Sequence, residues 1–201
     1  MKENFIHILS KELVEDALVI MCGLPATGKS TVAKSISKEK DYKILSSDIL
    51  RLEALRGEDV FDQKVASNMN KRLIVYKLMF MRAEDIITKE KKGVLLDATF
   101  IQQELRKQAA SIAYKYKKPL YIIETKCSPH VAVARIKNRN RLQYESNAIT
   151  EEAYFNNHKI YEPVDINDIL HEFLGITIYY YSINTNARRS YDWFVEDKYA
   201  T

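Results

Sequence analysis

Short apolar runs alternate along this chain with longer segments whose apolar residues recur every three or four positions. Five runs have the length of β-strands, at 17–22, 42–45, 93–96, 119–125 and 176–183. Helical periodicity occupies the segments at 30–39, 61–90, 102–116, 129–139 and 150–161. On the longest segment, Ile74, Leu78 and Met81 illustrate this spacing. The pattern therefore predicts strands and helices in regular alternation.

Strands that are apolar throughout are typical of a parallel sheet that is covered by helices on both faces. We therefore expect an α/β fold of three layers with five parallel strands. A chain of 201 residues with 46% hydrophobic content can form one large core, so residues 1–201 are expected to be a single domain. The polar, glycine-free segment 138–150 fits neither kind of element, and we expect it to form a lid.

Charge, cysteine content and the length of the first apolar run disfavour several classes of protein. Lys and Arg number 31 against 27 Asp and Glu, a surplus that suits an anionic substrate but not a dedicated duplex-DNA binder. The two cysteines, Cys22 and Cys127, have neither CxxC nor Cys/His spacing, which disfavours a disulfide framework and a structural zinc site. The first apolar run, 17–22, is too short for a signal peptide or a membrane span, so a cytoplasmic location is expected.

The stretch GLPATGKST follows directly on the first predicted strand and opens the first predicted helix. Gly23, Gly28, Lys29 and Ser30 fit the pattern GxxxxGK[ST] without a mismatch. Such glycines let the backbone wrap around a phosphate, and the helix adds its positive end. The alternative is a glycine-containing turn with an incidental lysine.

The pattern predicts an ATP site in which Lys29 neutralises the β- and γ-phosphates and Ser30 is a ligand of Mg²⁺. We expect the whole loop to contact the nucleotide, namely Gly23, Leu24, Pro25, Ala26, Thr27, Gly28, Lys29, Ser30 and Thr31.

The segment ILSSDILR places Asp48 just beyond the second predicted strand, at the edge where α/β sheets bind their ligands. A carboxylate there can accept a hydroxyl proton during phosphoryl transfer, or contact Mg²⁺. Arg51, three residues later, can face the same space and hold an anionic substrate. Asp48 could instead be a helix N-cap, but Ser46 or Ser47 can fill that position equally well.

Asp97 ends the third predicted strand, in GVLLDATF, at the same edge of the sheet. An acid after an apolar strand is typical of a Walker B element, whose carboxylate orients Mg²⁺ or its waters. Asp97 could instead hold Arg51 or the substrate. Ser30, Asp48 and Asp97 are accordingly the candidate metal ligands.

Arginines are concentrated where the fourth predicted helix enters the lid. ARIKNRNR supplies Arg135, Arg139 and Arg141, of which Arg135 and Arg139 are one helical turn apart. Such arginines can close over ATP phosphates as a finger supplied by the same chain, with Arg139 the first candidate. The alternative is a solvated basic helix face. Arg188 and Arg189, after the fifth predicted strand, are weaker candidates for contact with the base or ribose.

Aromatic residues invite a nucleic-acid interpretation, since the chain has 13 tyrosines, three of them consecutive at 179–181. Packing of these tyrosines against neighbouring helices is the simpler explanation. We also expect the C-terminal tail to pack Trp193 and Phe194 back onto the domain.

Together, GLPATGKST, SSDILR, LLDATF and ARIKNRNR resemble the P-loop kinases related to polynucleotide 5′-hydroxyl kinase, zeta toxin and gluconate kinase, and particularly the AAA-domain group of predicted kinases. The resemblance covers roughly residues 17–185 and implies a nucleoside-kinase-like P-loop NTPase with strand order 2-3-1-4-5 and ATP as donor. It implies that Asp48 is the general base, that Arg51 binds the phosphate or another anion of the acceptor, and that Arg139 is the second lid arginine of R-x-x-x-R. The chain departs from the family where Asn147 replaces an expected aspartate in SDA, and where Asn184 ends the fifth strand.

The resulting hypothesis is an ATP-dependent kinase that phosphorylates a hydroxyl of a small or nucleotidic acceptor with the help of Mg²⁺. Two alternatives stay open: a polynucleotide 5′-hydroxyl kinase, in which nucleic acid is the substrate, and a regulatory ATP-binding module or ATPase without an acceptor. The sequence identifies neither the acceptor nor the oligomeric state, and no membrane partner is expected.

Overall fold

A mixed sheet of six strands lies at the centre of the computed structural model, which describes residues 3–139 and 150–201. The strands follow the order β2-β3-β1-β4-β5-β6; β1 to β5 are parallel, and β6 runs antiparallel to β5. Their bounds are Leu18–Cys22 (β1), Lys43–Ser46 (β2), Val94–Asp97 (β3), Leu120–Lys126 (β4), Ile178–Asn184 (β5) and Phe194–Ala200 (β6).

Helices connect the strands and cover both faces of the sheet. In chain order they are Phe5–Glu12 (α1), Lys29–Lys40 (α2), Ser47–Ala54 (α3), Gln63–Ser67 (α4), Met69–Asp85 (α5), Gln103–Lys115 (α6), Pro129–Lys137 (α7), Glu151–Lys159 (α8) and Ile166–Glu172 (α9). A π-helical turn, Ile86–Glu90, extends α5, and a 3₁₀ turn, Ser190–Asp192, precedes β6. Within the described residues, no helix is long and apolar enough to cross a membrane.

Strand β1 shows why the fold has three layers. Each of its five residues is buried. Leu18, Ile20 and Cys22 pack into the apolar cluster on one face of the sheet, and Val19 and Met21 pack into the cluster on the other. Because successive strand residues point to opposite faces, an uninterrupted apolar run requires helices on both sides. The predicted three-layer α/β fold is confirmed.

The predicted sheet is confirmed for five strands in the order 2-3-1-4-5, but the count of five is wrong. The segment Phe194–Ala200 adds a sixth strand at the edge of the sheet. Its last five residues are exposed, and it carries charges at Glu196, Asp197 and Lys198. A charged edge strand lacks the apolar run that identifies a buried one, which is why the sequence pattern does not detect it.

The predicted helix at 61–90 divides into two helices and a π-helical turn. Asn68 interrupts it: this residue has an extended backbone, and its side chain accepts the N–H of Lys71 as the N-cap of α5. Val75, Tyr76 and Met79 face the core, whereas Ile74 and Met81 are 51% and 56% exposed. Apolar residues thus form two adjacent stripes on α5, and periodicity alone does not distinguish the buried one.

Arg106, on α6, joins two distant parts of the chain. Its fully buried guanidinium donates to the carbonyl oxygens of Phe100 (2.9 Å), Pro163 (2.9 Å) and Glu162 (2.6 Å). The N–H of Glu162 also donates to the Ile101 carbonyl at 2.8 Å. The segment after α8 is therefore fixed against the loop that follows β3.

Arg106→Ala should lower the free energy of unfolding by about 3 kcal/mol or more, because a fully buried guanidinium is removed and three carbonyls, that of Phe100 buried, lose a charged donor. Urea unfolding followed by circular dichroism measures the loss. The control is Arg56→Ala, at an exposed arginine, which should cost no more than about 0.5 kcal/mol. Equal losses in the two variants would show that Arg106 does not support these carbonyls.

Candidate active site

The loop between β1 and α2 has the geometry of a phosphate cradle. Gly28 is the N-cap of α2 with a φ of 97°, so the helix begins directly behind the loop. The Gly23 N–H donates to the Thr99 carbonyl at 3.1 Å. Thr27 Oγ1 bonds the Leu24 carbonyl at 2.8 Å and Thr125 Oγ1 at 2.7 Å. These bonds fix the loop, and the helix N-terminus gives it the positive end that favours an anion.

Lys29 is a buried cation inside this loop. Its side chain is enclosed, with the residue only 9% exposed, and Nζ donates to the Leu24 carbonyl at 2.7 Å. Burial lowers the pKa of Lys29 to about 8; the carboxylates of Asp97 and Asp48 act in the opposite direction, and the guanidinium of Arg139 adds to the lowering. All four side chains therefore interact across one site.

Asp97 ends β3 beside the loop, with Met21 of β1 and Ser46 of β2 as its register partners. The residue is 8% exposed, and burial raises the pKa of Asp97, opposed by a hydrogen bond with Ser30 and by the charge of Lys29. The carboxylate and the Ser30 hydroxyl thus form a linked pair of oxygen donors.

These donors fit Mg²⁺, which prefers oxygen ligands and is often held by one or two carboxylates together with substrate phosphates. Ser30, Asp97 and Asp48 can supply the protein oxygens. No cluster of three His, Cys, Asp or Glu side chains suited to a metal occurs in residues 3–139 and 150–201, so a metal here would depend on phosphate and water for its remaining ligands.

Asp48 lies in the first turn of α3, directly after β2, with Ser46 in the N-cap position. It is half-buried, and it is close enough to raise the pKa of both Lys29 and Arg51. Arg51, one turn later, is only 8% exposed. Asp48 therefore interacts electrostatically with both the loop lysine and a buried arginine.

A cavity of about 570 Å³ opens where the loop meets β2 and β3. Its wall includes most of the residues predicted for the site: Pro25, Ala26, Gly28, Lys29, Ser30, Thr31, Asp48, Asp97, Arg135 and Arg139. Gly23, Leu24, Thr27 and Arg51 do not line it. The lining has four basic and two acidic side chains, a balance that favours a polyphosphate.

The two predicted lid arginines differ in their surroundings. Arg135 donates to the carbonyls of Ala26 (3.3 Å), Thr185 (2.5 Å) and Ala187 (3.1 Å), and so ties α7 to the loop and to the segment after β5. Arg139 follows the end of α7 and interacts electrostatically with Lys29. Arg141, Asn147 and the rest of 140–149, which form most of the predicted lid, lie outside the described residues.

Trp193 also lines the cavity, although none of the sequence motifs predicts this position. It is 5% exposed, its Nε1 donates to the Ala187 carbonyl at 2.8 Å, and its ring lies 5.3 Å from the Arg135 guanidinium. The predicted packing of Trp193 agrees with its burial, and the pairing of β6 with β5 brings the ring to the loop.

Further residues on the cavity wall have weak or no sequence signals. Arg188 lines the cavity, as its position after β5 suggested, whereas Arg189 does not. The lining residues without a predicted role are Ser47, Ala98, Thr99, Asn138 and Ser190. They adjoin strand and helix ends that do carry a signal, so proximity to Asp48, Asp97 and Arg139 is the feature that could have identified most of them.

Comparison with known proteins supports the resemblance drawn from the motifs. The family described as AAA domain matches residues 18–163, which confirms the resemblance at the level of the family. No curated protein matches the sequence significantly. A gluconokinase from Sinorhizobium meliloti 1021 is 13% identical, over 87% of this chain and 85% of that one, with a TM-score of 0.59. A candidate kinase from Chloroflexus aurantiacus j-10-fl is 16% identical, over 85% and 88%, with a TM-score of 0.61. At these identities the structural likeness shows a shared fold.

Gly28→Ala should disturb the loop because a Cβ there would lie 2.6 Å from the Trp193 ring. Gly57→Ala is the matched control: its φ is also positive, at +90°, but nothing lies within 4 Å of the added carbon. Both changes should cost about 1–2 kcal/mol of backbone strain, and displacement of Trp193 should add about 1–3 kcal/mol only in Gly28→Ala.

Urea unfolding measures these losses, and fluorescence of Trp193, the only tryptophan, reports its displacement directly. Equal losses with unchanged emission in both variants would contradict the packing of Trp193 on the loop.

Proposed function

We propose, from the premise that this chain belongs to the AAA-domain family, that it is an ATP-dependent kinase which transfers the γ-phosphoryl group to a hydroxyl of a small-molecule or nucleotidic acceptor. One observation carries this proposal: Lys29, Asp48, Asp97 and Arg139 interact around a single cavity at the end of β1. Phosphoryl transfer asks mainly for positioning and charge stabilisation, and these four side chains can provide both.

Lys29 and the loop backbone would bind the nucleotide phosphates. The ammonium already lies inside the loop, bonded to the Leu24 carbonyl, so it needs only to exchange that acceptor for a phosphate oxygen. A polyanion also offsets the cost of burying the lysine charge. Arg139 would add a second cation from the end of α7, while Arg135 supports the loop through the Ala26 carbonyl.

Ser30 and Asp97 would hold Mg²⁺ beside these phosphates, which leaves the Asp48 carboxylate for the acceptor. When bound, the ion would neutralise charge on the β- and γ-phosphoryl oxygens. The hydrogen bond between Ser30 and Asp97 would orient both donors for this role.

Asp48 would act as the general base. The acceptor oxygen forms a bond to the γ-phosphorus, the bond from that phosphorus to the bridging oxygen breaks, and ADP departs while the hydroxyl proton passes to the Asp48 carboxylate. Arg51, one helical turn away, would hold the acceptor. Its burial beside Asp48 favours an enzyme with an acceptor over an ATPase without one, since hydrolysis needs no such anchor.

The decisive experiment measures ADP formation by the purified protein with and without a panel of hydroxyl compounds. Stimulation by an acceptor, together with detection of the phosphorylated product, supports the proposal. Hydrolysis that no acceptor stimulates would indicate an ATPase or regulatory module. Transfer of labelled phosphate to a 5′-hydroxyl oligonucleotide would instead identify a polynucleotide kinase.

Asp48→Asn should lower kcat by about 10²–10⁴-fold, because the amide cannot accept the proton, while ATP affinity changes little. Steady-state kinetics and a Trp193 fluorescence titration with ATP separate these two effects. Asp41→Asn serves as the control at an exposed aspartate and should leave both values unchanged. Normal turnover in Asp48→Asn would remove Asp48 from the base role.

Lys29→Ala should weaken ATP binding at least about tenfold and also reduce turnover, because a cation bound to phosphate is lost. The fluorescence titration and the ADP assay measure the two changes. Lys38→Ala, at an exposed lysine of the same helix, is the matched control. Unchanged turnover in Lys29→Ala would mean that the loop is not the reactive site.

A further inference from the structure

The Leu24 carbonyl accepts two short hydrogen bonds from side chains of its own loop. Lys29 Nζ donates to it at 2.7 Å, and Thr27 Oγ1 donates to it at 2.8 Å. The Thr27 N–H approaches the same oxygen at 3.4 Å, which is longer than a good hydrogen bond. Because a carbonyl oxygen has two lone pairs, the ammonium and the hydroxyl together satisfy it.

This shared acceptor becomes important when a phosphate enters the loop. In the proposed function, Lys29 exchanges the Leu24 carbonyl for a phosphate oxygen. A carbonyl that loses its donor without a replacement raises the free energy of the bound state, which weakens binding. Neither Leu24 nor Thr27 lines the cavity, so the replacement donor has to come from the loop itself.

The hydroxyl of Thr27 is directed at this carbonyl by a residue of β4. Thr27 Oγ1 and Thr125 Oγ1 lie 2.7 Å apart, whereas the Cys22 carbonyl lies 3.5 Å from Thr125 Oγ1. Since the Leu24 carbonyl has no proton of its own, the Thr27 proton lies in the bond to Leu24, and Thr125 donates to Thr27. Donation from Thr27 to Leu24 therefore does not depend on Lys29.

The backbone of Thr27 is fixed from the segment that follows β5. Thr185 Oγ1 donates to the Thr27 carbonyl at 2.7 Å, and Arg135 donates to the preceding carbonyl, that of Ala26, at 3.3 Å. Thr27, Thr125 and Thr185 are 2%, 1% and 0% exposed. A buried network from two strand ends thus holds Thr27 in one position, independently of the position of the lysine.

We propose that Thr27 is a positioning residue of the nucleotide site, whose hydroxyl keeps the Leu24 carbonyl satisfied while Lys29 transfers its hydrogen bond to a phosphate oxygen. The pattern GxxxxGK[ST] leaves position 27 unspecified, so the motif gives this side chain no role. Thr27 acts through Lys29 and lowers the cost of moving the ammonium. The inference rests on the proposed role of Lys29 in binding ATP.

The first experiment compares Thr27→Val, which removes the hydroxyl at nearly constant volume, with Thr27→Ser, which retains it. In Thr27→Val, the departure of Lys29 leaves the Leu24 carbonyl with only the distant N–H, so the Kd for ATP should rise at least about tenfold. Thr27→Ser should restore most of the affinity. The matched control is Thr185→Val, at a buried threonine that bonds the Thr27 carbonyl instead. Trp193 fluorescence follows each titration with ATP.

The second experiment repeats Thr27→Val in a Lys29→Ala background. Without the ammonium, the Leu24 carbonyl has the same donors before and after ATP binds, so Thr27→Val should then change the Kd by less than about twofold. A general distortion of the loop would raise the Kd by the same factor in both backgrounds. Thr185→Val, which does not serve Leu24, should behave in that additive way. Circular dichroism verifies that every variant is folded.

A loss of ATP affinity in Thr27→Val that disappears in the Lys29→Ala background supports the inference. An equal loss in both backgrounds, or unchanged affinity in Thr27→Val, would overturn it. Absence of ATP binding to the intact, folded protein would reject the proposed function and the inference with it. Because the titrations need no turnover, ATP binding without phosphorylation of any acceptor would reject only the kinase, and the comparison of the two backgrounds would still decide the role of Thr27.

Discussion

The buried ammonium of Lys29 is the charge on which the arrangement of the site depends. A cation in so enclosed a position is stable only if acidic groups and dipoles compensate it. The strand order supplies that compensation, since β3 lies beside β1 and β2 lies beside β3, which brings Asp97 and Asp48 to the same edge of the sheet. The Leu24 carbonyl completes the local balance. The strand order that builds the sheet therefore also compensates the buried charge of Lys29.

Sequence reasoning succeeds here where the determining interactions are local or where the strands are fully buried. The loop from Gly23 to Thr31 is a contiguous motif, and the apolar runs of β1, β3 and β4 need no knowledge of distant residues. Strand β6 and the position of Trp193 could not be predicted, because they depend on an edge pairing between β5 and a charged tail. The buried stripe of α5 was equally undetermined, since two apolar stripes compete.

The hydrogen-bond partners of the buried arginines depend on segments that are remote in the sequence. Arg106 is fully buried and satisfied by carbonyls, Arg135 holds the loop and the segment after β5, and Arg51 retains unused donors. The local sequence marked Arg51 and Arg135 as candidates for anion binding, but it did not show which arginine is satisfied by carbonyls, because each lies on a helix that follows a strand. Only the partners contributed by remote segments distinguish an arginine that stabilises the fold from one that is available to a ligand.

Helix α8 contacts two separate parts of the domain, the helix α7 and Arg72 of α5. Tyr154 packs with Ala132 and Ile136 of α7, the helix that leads to Arg139, while Asn157 holds Arg72. Helix α8 therefore contacts both Arg72 of α5 and the helix that leads to Arg139. By thermodynamic linkage, if one ligand changes the affinity for a second ligand by some factor, the second changes the affinity for the first by the same factor. Any coupling that α8 transmits between α5 and α7 therefore has the same magnitude in either order of binding.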